Sequence, residues 1–207
     1  MKIAVERKKI GIIGGSFDPI HNGHLKTAEV VYEKLGLEKI IFVPAYVAPH
    51  KIGMEFAKAD DRYAMTELAV QKNTHFSVSD IEFSRGGISY TYDTIQALHK
   101  KFGADFELYF VIGADSVAEL DTWHKVREIM EICTFVAATR PGVASTVEKV
   151  IKYFGELGAN KIKWLDTPEM DISSTDIRQR IQRGASIEEL VPAEVAEYIY
   201  QKGLYRL

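Results

Sequence analysis

Cysteine is nearly absent from this 207-residue chain: Cys133 stands alone, so no intrachain disulfide can form and a reducing compartment suits the protein. It lies in the apolar run Ile132-Cys133-Thr134-Phe135-Val136-Ala137-Ala138, which favours a small core residue over a nucleophile. Long apolar runs are missing too. None approaches the ~20 residues that a membrane helix needs. Ile10 to Ile13, behind Lys8-Lys9, is too short for a signal-peptide core. A cytoplasmic protein with no membrane partner is expected. Nor is there an excess of either charge: the net charge of -3 supplies no electrostatic reason to expect a nucleic-acid partner. A local phosphate pocket stays open, because phosphates need only a few well-placed cations. With 46% hydrophobic and 27% charged residues, the chain can bury a sizeable core without staples.

Short apolar runs alternate with helical patterns along most of the length. Ile10 to Gly14, Lys39 to Pro44, His75 to Ser79, Phe106 to Gly113, Thr134 to Ala138 and Lys161 to Leu165 read as strands. Helical spacing covers His24 to Leu35, Asp60 to Lys72 with Asp60 as N-cap, and Thr91 to Phe102. It returns at Val126 to Glu131, Val143 to Leu157, Ser174 to Gln182 and Ala193 to Lys202. Such alternation implies βαβ units. The expected fold class is α/β, a Rossmann-like, mainly parallel sheet with helices on both faces. One domain spanning 1–207 is expected, with about 172–207 as a C-terminal helical extension. In such sheets ligands bind beyond the carboxyl ends of the strands, and the unusual residues here follow strand ends.

The first of these loops is Gly14-Gly15-Ser16-Phe17-Asp18-Pro19-Ile20-His21-Asn22-Gly23-His24. Its two leading glycines permit close backbone approach, and the helix beginning near Asn22 points free amides at an anion. His21 and His24, three apart, share one side of the first turn, with Gly23 leaving that turn bare. Two imidazoles there suit phosphate oxygens. The spacing is not that of a P-loop, and Gly11-Ile12-Ile13-Gly14-Gly15 does not match the Gly-x-Gly-x-x-Gly dinucleotide pattern. A His-x-x-His pair can ligate a metal, but no further His, Cys or carboxylate cluster completes a site, so none is expected. Taken alone, the segment is also compatible with a tight turn carrying incidental histidines. Farther on, Ser173 or Ser174 suits the N-cap of the helix ending at Gln182, with Arg178 one turn in. That is good capping chemistry and equally a second anion site.

Together the two segments carry a resemblance. Gly15 to His24 resembles the (T/H)xGH-type signature of the nucleotidyltransferase superfamily, and Ile172-Ser173-Ser174-Thr175-Asp176-Ile177-Arg178 resembles its ISSTxIR motif. The resemblance implies an ATP site built from Gly14, Gly15, Ser16, Phe17, His21, His24, Gly113, Asp115, Ile172, Ser173, Ser174 and Arg178. His21, His24 and Arg178 are the implied catalytic groups, with Ser173, Ser174 and Arg178 on the β- and γ-phosphates. Gly113 and Asp115 would line the adenosine site, although Asp115 also suits an N-cap.

Pro44 to Lys51, Ser89-Tyr90-Thr91-Tyr92-Asp93-Thr94, Gly113 to Ser116 with Trp123, Leu190-Val191-Pro192 and Tyr198-Ile199 extend the resemblance. From residue 10 to Tyr205, the chain is similar to the nicotinate-mononucleotide adenylyltransferases. ATP and nicotinate mononucleotide are then the implied partners, with Mg²⁺ carried by ATP. Trp123 would stack on the pyridine ring. Amides near Thr91 and His124 would receive its carboxylate, Lys51 would neutralise the acceptor phosphate, and Arg140 would add charge near the triphosphate. Tyr46 to Phe56, with Gly53, is a candidate lid, and a homo-oligomer is compatible with the sequence.

Overall fold

Successive side chains of a strand leave a sheet on opposite faces, and in this chain both sets are apolar. The computed structural model describes residues 7–49, 57–139, 144–168 and 170–206. Its strands are β1 (Lys8–Gly15), β2 (Lys39–Pro44), β3 (Phe76–Val78), β4 (Phe106–Ile112), β5 (Cys133–Thr139) and β6 (Ile162–Asp166). They form one sheet in the order β3-β2-β1-β4-β5-β6, parallel at every pairing. The helices are α1 (Asn22–Leu35), α2 (Ala59–Val70), α3 (Ile81–Arg85), α4 (Thr91–Phe102) and α5 (Ala114–Ala118). They continue with α6 (Val126–Ile132), α7 (Ala144–Phe154), α8 (Glu156–Lys161), α9 (Ser174–Gln182) and α10 (Ala193–Lys202).

Two cores result. Ile13, Ile40, Phe42, Tyr109, Val111 and Val136 face one way and pack with Ala28 and Val31 of α1, Met65 of α2, Ile177 and Ile181 of α9, and Ile199 of α10. Ile10, Ile12, Ile41, Val43, Leu108, Phe110 and Phe135 face the other way, against Ile95 and Leu98 of α4, Ile129 of α6 and Val147 of α7. Cys133 belongs to this second core, and burial pushes its thiol up to about 12, so it is unreactive as expected. The Rossmann-like α/β fold stands, and its sheet is parallel throughout. Among the described residues no helix is long and apolar enough to cross a membrane.

Several element expectations are corrected. Lys58, not Asp60, is the N-cap of α2, and Asp60 and Asp61 lie in the first turn, where negative charge suits the helix dipole. Asp115 does not cap α5; Gly113 does, and Asp115 falls inside the helix. The apolar spacing from 143 to 157 continues through a break. Gly155 adopts φ 63, a left-handed conformation that ends α7 and starts α8. α3, five residues long, is too short to show a helical period, which is why no helix was expected there.

Because β2 and β3 lie on one side of β1, and β4 to β6 on the other, the connections after β1 and β4 turn away in opposite directions. A crevice opens between the carboxyl ends of those two strands. Gly14-Gly15 and Gly113 stand at its rim.

Candidate active site

The first loop leaves β1 at Gly15 and enters α1 through His21, whose extended backbone (φ -146, ψ 169) makes it the N-cap. His24 occupies the third helical position, and its Nδ1 accepts the His21 backbone N–H at 3.2 Å. An imidazole nitrogen that accepts carries no proton, so this bond leaves the proton of a neutral His24 ring on Nε2. The two rings stack with centroids 3.7 Å apart at 26°. Stacked rings do not aim two lone pairs at one point, and among the described residues no group of three or more His, Cys, Asp or Glu is placed to hold a metal ion. His21 is buried, and loss of hydration lowers its pKa from 6.5 to about 4, so it is uncharged at neutral pH. Gly23 lets the His21 ring lie close against the turn: a Cβ there would be 3.0 Å from His21 Nδ1 and 3.1 Å from Cε1, so the ring would have to give way.

The sequence suggests several free amides at this helix start, and the structure reduces their number. Asn22 N–H donates to the Leu190 carbonyl at 2.9 Å, tying the turn to the segment before α10.

The loop is held from behind by residues that motif reasoning passed over. Arg62 of α2 is only 1% exposed. Its Nη1 donates to the carbonyls of Ser16 and Ala45, each at 2.7 Å, and its Nη2 donates to that of Tyr46 at 3.0 Å. One guanidinium thus joins the loops after β1 and β2. Asp18, also buried, accepts at Oδ1 from the Tyr205 hydroxyl at 2.7 Å and from the Ala57 N–H at 3.2 Å. Phe17 is buried in the first core, with its ring edge against His24 at 5.2 Å and 87°, so it backs the histidine. A buried arginine in a helix, or a tyrosine two residues from the end of the sequence, has no local pattern that marks it.

The second motif meets the first through the backbone. Ser173 is the N-cap of α9, accepting the Asp176 N–H at 3.1 Å, which decides between the two candidate serines. Ser174 Oγ donates to the Pro19 carbonyl at 2.9 Å, and Arg178 Nη1 donates to that of Asp18 at 2.7 Å. In this state both side chains brace the first loop.

The crevice is a cleft of about 610 Å³. Of the residues named from the sequence, Gly14, Gly15, Ser16, His21, His24, Gly113, Thr91, Trp123 and Ile172 line it. Phe17, Ser173, Ser174, Arg178 and His124 are not in its wall. His124 is exposed and sits 5.0 Å from the Tyr90 ring. Trp123 is half-buried, with edge contacts to Phe110 and Phe135, and combines a core contact with a face on the cleft. Ser89, Thr94 and Ser116, from segments that carry the resemblance, also line the cleft, and Thr27, Glu82 and Thr167 line it without having been anticipated. Lys51, Arg140 and the side chain of Asp115 lie outside the described residues, as do residues 50–56 of the candidate lid Tyr46 to Phe56.

A family model described as cytidylyltransferase-like matches residues 12–180. A Desulfitobacterium hafniense (strain Y51) protein named "Probable nicotinate-nucleotide adenylyltransferase" is 43% identical over 209 residues, covering 100% of both chains. One of the same name from Thermoanaerobacter sp. (strain X514) is 45% identical over 199 residues, covering 96% of this chain and 94% of its own. The chain belongs to the nicotinate-nucleotide adenylyltransferase family. Plasmodium falciparum nicotinic acid mononucleotide adenylyltransferase complexed with NaAD shares the fold, with a TM-score of 0.78 and 20% identity over 96% of this chain and 97% of that one. The same Plasmodium enzyme complexed with APC gives a TM-score of 0.76.

Proposed function

We propose that this chain transfers the adenylyl group of ATP to nicotinate mononucleotide, releasing pyrophosphate and nicotinate adenine dinucleotide in NAD biosynthesis. The observation that carries it is the histidine pair at the start of α1, beside the strand-order switch, with a His24 ring whose proton faces away from its backbone partner. Full-length likeness at 43% identity to a protein named for this activity supports the acceptor.

In the reaction, a phosphate oxygen of nicotinate mononucleotide attacks the α-phosphorus of ATP. The bond from that phosphorus to its β-bridging oxygen breaks, and pyrophosphate leaves with the electron pair. No protein nucleophile is needed. The chain's task is positioning and charge stabilisation. His24 Nε2–H donates to a phosphate oxygen as charge moves towards the leaving group, and His21 supports it from the stacked position. Ser173, Ser174 and Arg178 serve the β- and γ-phosphates; the one hydroxyl hydrogen of Ser174 goes to Pro19, so Ser174 serves through its backbone N–H, and Arg178 through guanidinium N–H groups other than the one given to Asp18. Ser16, Gly14, Gly15, Gly113, Asp115 and Ile172 surround the nucleotide. Trp123 stacks on the pyridine, Thr91 and His124 take its carboxylate through backbone amides, and Lys51 and Arg140 add positive charge at the phosphates. Mg²⁺ arrives on ATP as part of the substrate. We place the enzyme in the cytoplasm and take the chain as one domain, with α9 and α10 as its extension.

Pyrophosphate release from ATP, measured with nicotinate mononucleotide, nicotinamide mononucleotide and pantetheine phosphate in turn, tests this. Fastest turnover with the first is expected. Preference for either of the others would reassign the acceptor, and no release with any of them would mark a nucleotide-binding module without turnover.

A further inference from the structure

One buried carboxylate in the cleft wall is only half partnered within the protein. Glu82, in the first turn of α3, is 6% exposed and lines the cleft beside Ser89, Thr91 and Thr94. Its Oε1 accepts the Thr94 hydroxyl at 2.6 Å, and that hydroxyl in turn accepts from Arg85 Nη2 at 3.3 Å. Its Oε2 is buried and receives no hydrogen bond from any described residue. The Ser89 hydroxyl, which accepts the Tyr46 N–H at 2.9 Å, and that N–H itself lie near enough to favour the charged carboxylate, but neither forms a bond of ordinary geometry to Oε2. A buried carboxylate oxygen left bare is costly, and such atoms in native proteins normally meet a partner in some state of the molecule.

The acceptor identifies that partner by elimination, on the basis of the function proposed above. At neutral pH and above, the carboxylate and phosphate of nicotinate mononucleotide only accept hydrogen bonds, and its pyridinium ring has no N–H. Its sole donors are the two ribose hydroxyls. We propose that Glu82 is a specificity-determining residue whose Oε2 binds a ribose hydroxyl of the acceptor mononucleotide. Burial raises the Glu82 carboxyl pKa, while Ser89, Thr94 and Arg85 pull it down. A hydroxyl both donates and accepts, so it pairs with either form.

The test is a cycle of wild type, Glu82→Gln and Glu82→Ala against nicotinate mononucleotide and its 2′-deoxy and 3′-deoxy forms, reading kcat/KM, with thermal unfolding run alongside. In wild type, removing one of the two hydroxyls should lower kcat/KM about tenfold, the usual scale for a lost hydrogen bond to a charged group. In Glu82→Ala that same removal should cost less than twofold. Glu82→Gln keeps an acceptor for Thr94 and therefore the fold, and should lie between the two. A purely structural glutamate would lower activity with all three acceptors by one common factor, and that result overturns the proposal. So does a coupling that appears with 2′- or 3′-deoxy-ATP instead, which would place Glu82 at the donor nucleotide. Wild type inactive on nicotinate mononucleotide would remove the functional assignment and this one together, whereas an active wild type without coupling removes only Glu82.

Discussion

Removing one oxygen atom near the end of the chain should be felt at its first motif. Tyr205→Phe deletes the hydroxyl that donates to Asp18 Oδ1 at 2.7 Å and leaves the buried ring volume unchanged. No cavity forms, so the cost is that of the hydrogen bond. Both groups are buried, and burial together with the Asp18 charge pushes the tyrosine pKa far up, so its hydroxyl stays a donor across the working range. Asp18 retains the Ala57 N–H at 3.2 Å and has one donor fewer for a buried oxygen. A hydrogen bond to a charged group contributes about 1.5–3 kcal/mol, so a loss near ~2 kcal/mol is expected. Urea unfolding measures it, with an unchanged slope showing that both end states are comparable. Because Asp18 lies three residues before His21, kcat should also fall, by about threefold to tenfold through looser positioning. A stability loss below about 0.5 kcal/mol with unchanged kcat would refute the claim that the tail tethers the loop.

Three more outcomes follow from the same geometry. His24→Ala removes the donor assigned to the phosphate oxygens, and kcat should drop about 10²-fold while circular dichroism stays native; a change under twofold would remove His24 from the mechanism. Gly23→Ala puts a methyl group 3.0 Å from His21 Nδ1, so the ring must move, and kcat should fall about tenfold or more with the melting temperature little changed. His21 has a folded pKa of about 4 against 6.5 unfolded, so the stability it contributes is present above pH 6.5 and is lost as pH falls towards 4. The loss amounts to about 3 kcal/mol, and the pH dependence of unfolding should flatten by that amount in His21→Gln; equal slopes would refute the burial effect.

Periodicity and turn chemistry made the sheet legible: β2, α4, α9 and α10 begin and end where the sequence places them. Those elements are long or sharply capped, and Ser173 is a side-chain cap visible in the sequence. The wall of the cleft was legible where the chain puts glycine at a strand end, as at Gly14 and Gly113, or histidine or tryptophan in a segment that follows one, as at His24 and Trp123. It was not legible at Thr27 or Glu82, which reach the cleft from helix positions that look like ordinary surface in one dimension. Arg62 and Tyr205 are harder still. Their partners lie 17 and 46 residues away for Arg62, and 187 away for Tyr205, so no local spacing encodes the pairing.

These distant partners bear on why two histidines in a short glycine-rich turn can be effective donors. A loop is entropically free unless something fixes it, and an oxyanion donor helps only if it is in place before charge develops. Here fixation comes from four directions. Arg62 holds the carbonyl of Ser16, Tyr205 the carboxylate of Asp18, Arg178 and Ser174 the carbonyls of Asp18 and Pro19, and the Leu190 carbonyl the amide of Asn22. Each of these holds a residue within five positions of His21, and none uses a histidine side chain. The ordering of the loop is thus carried by α2, α9 and the C-terminal tail. On that account the ISSTxIR segment acts on the first motif even with no nucleotide present. Arg178→Lys, which keeps the charge but loses the forked donor geometry, should lower kcat for every acceptor alike and raise the exchange rate of the loop amides. A loss confined to the ATP KM, with loop exchange unchanged, would instead restrict Arg178 to phosphate binding.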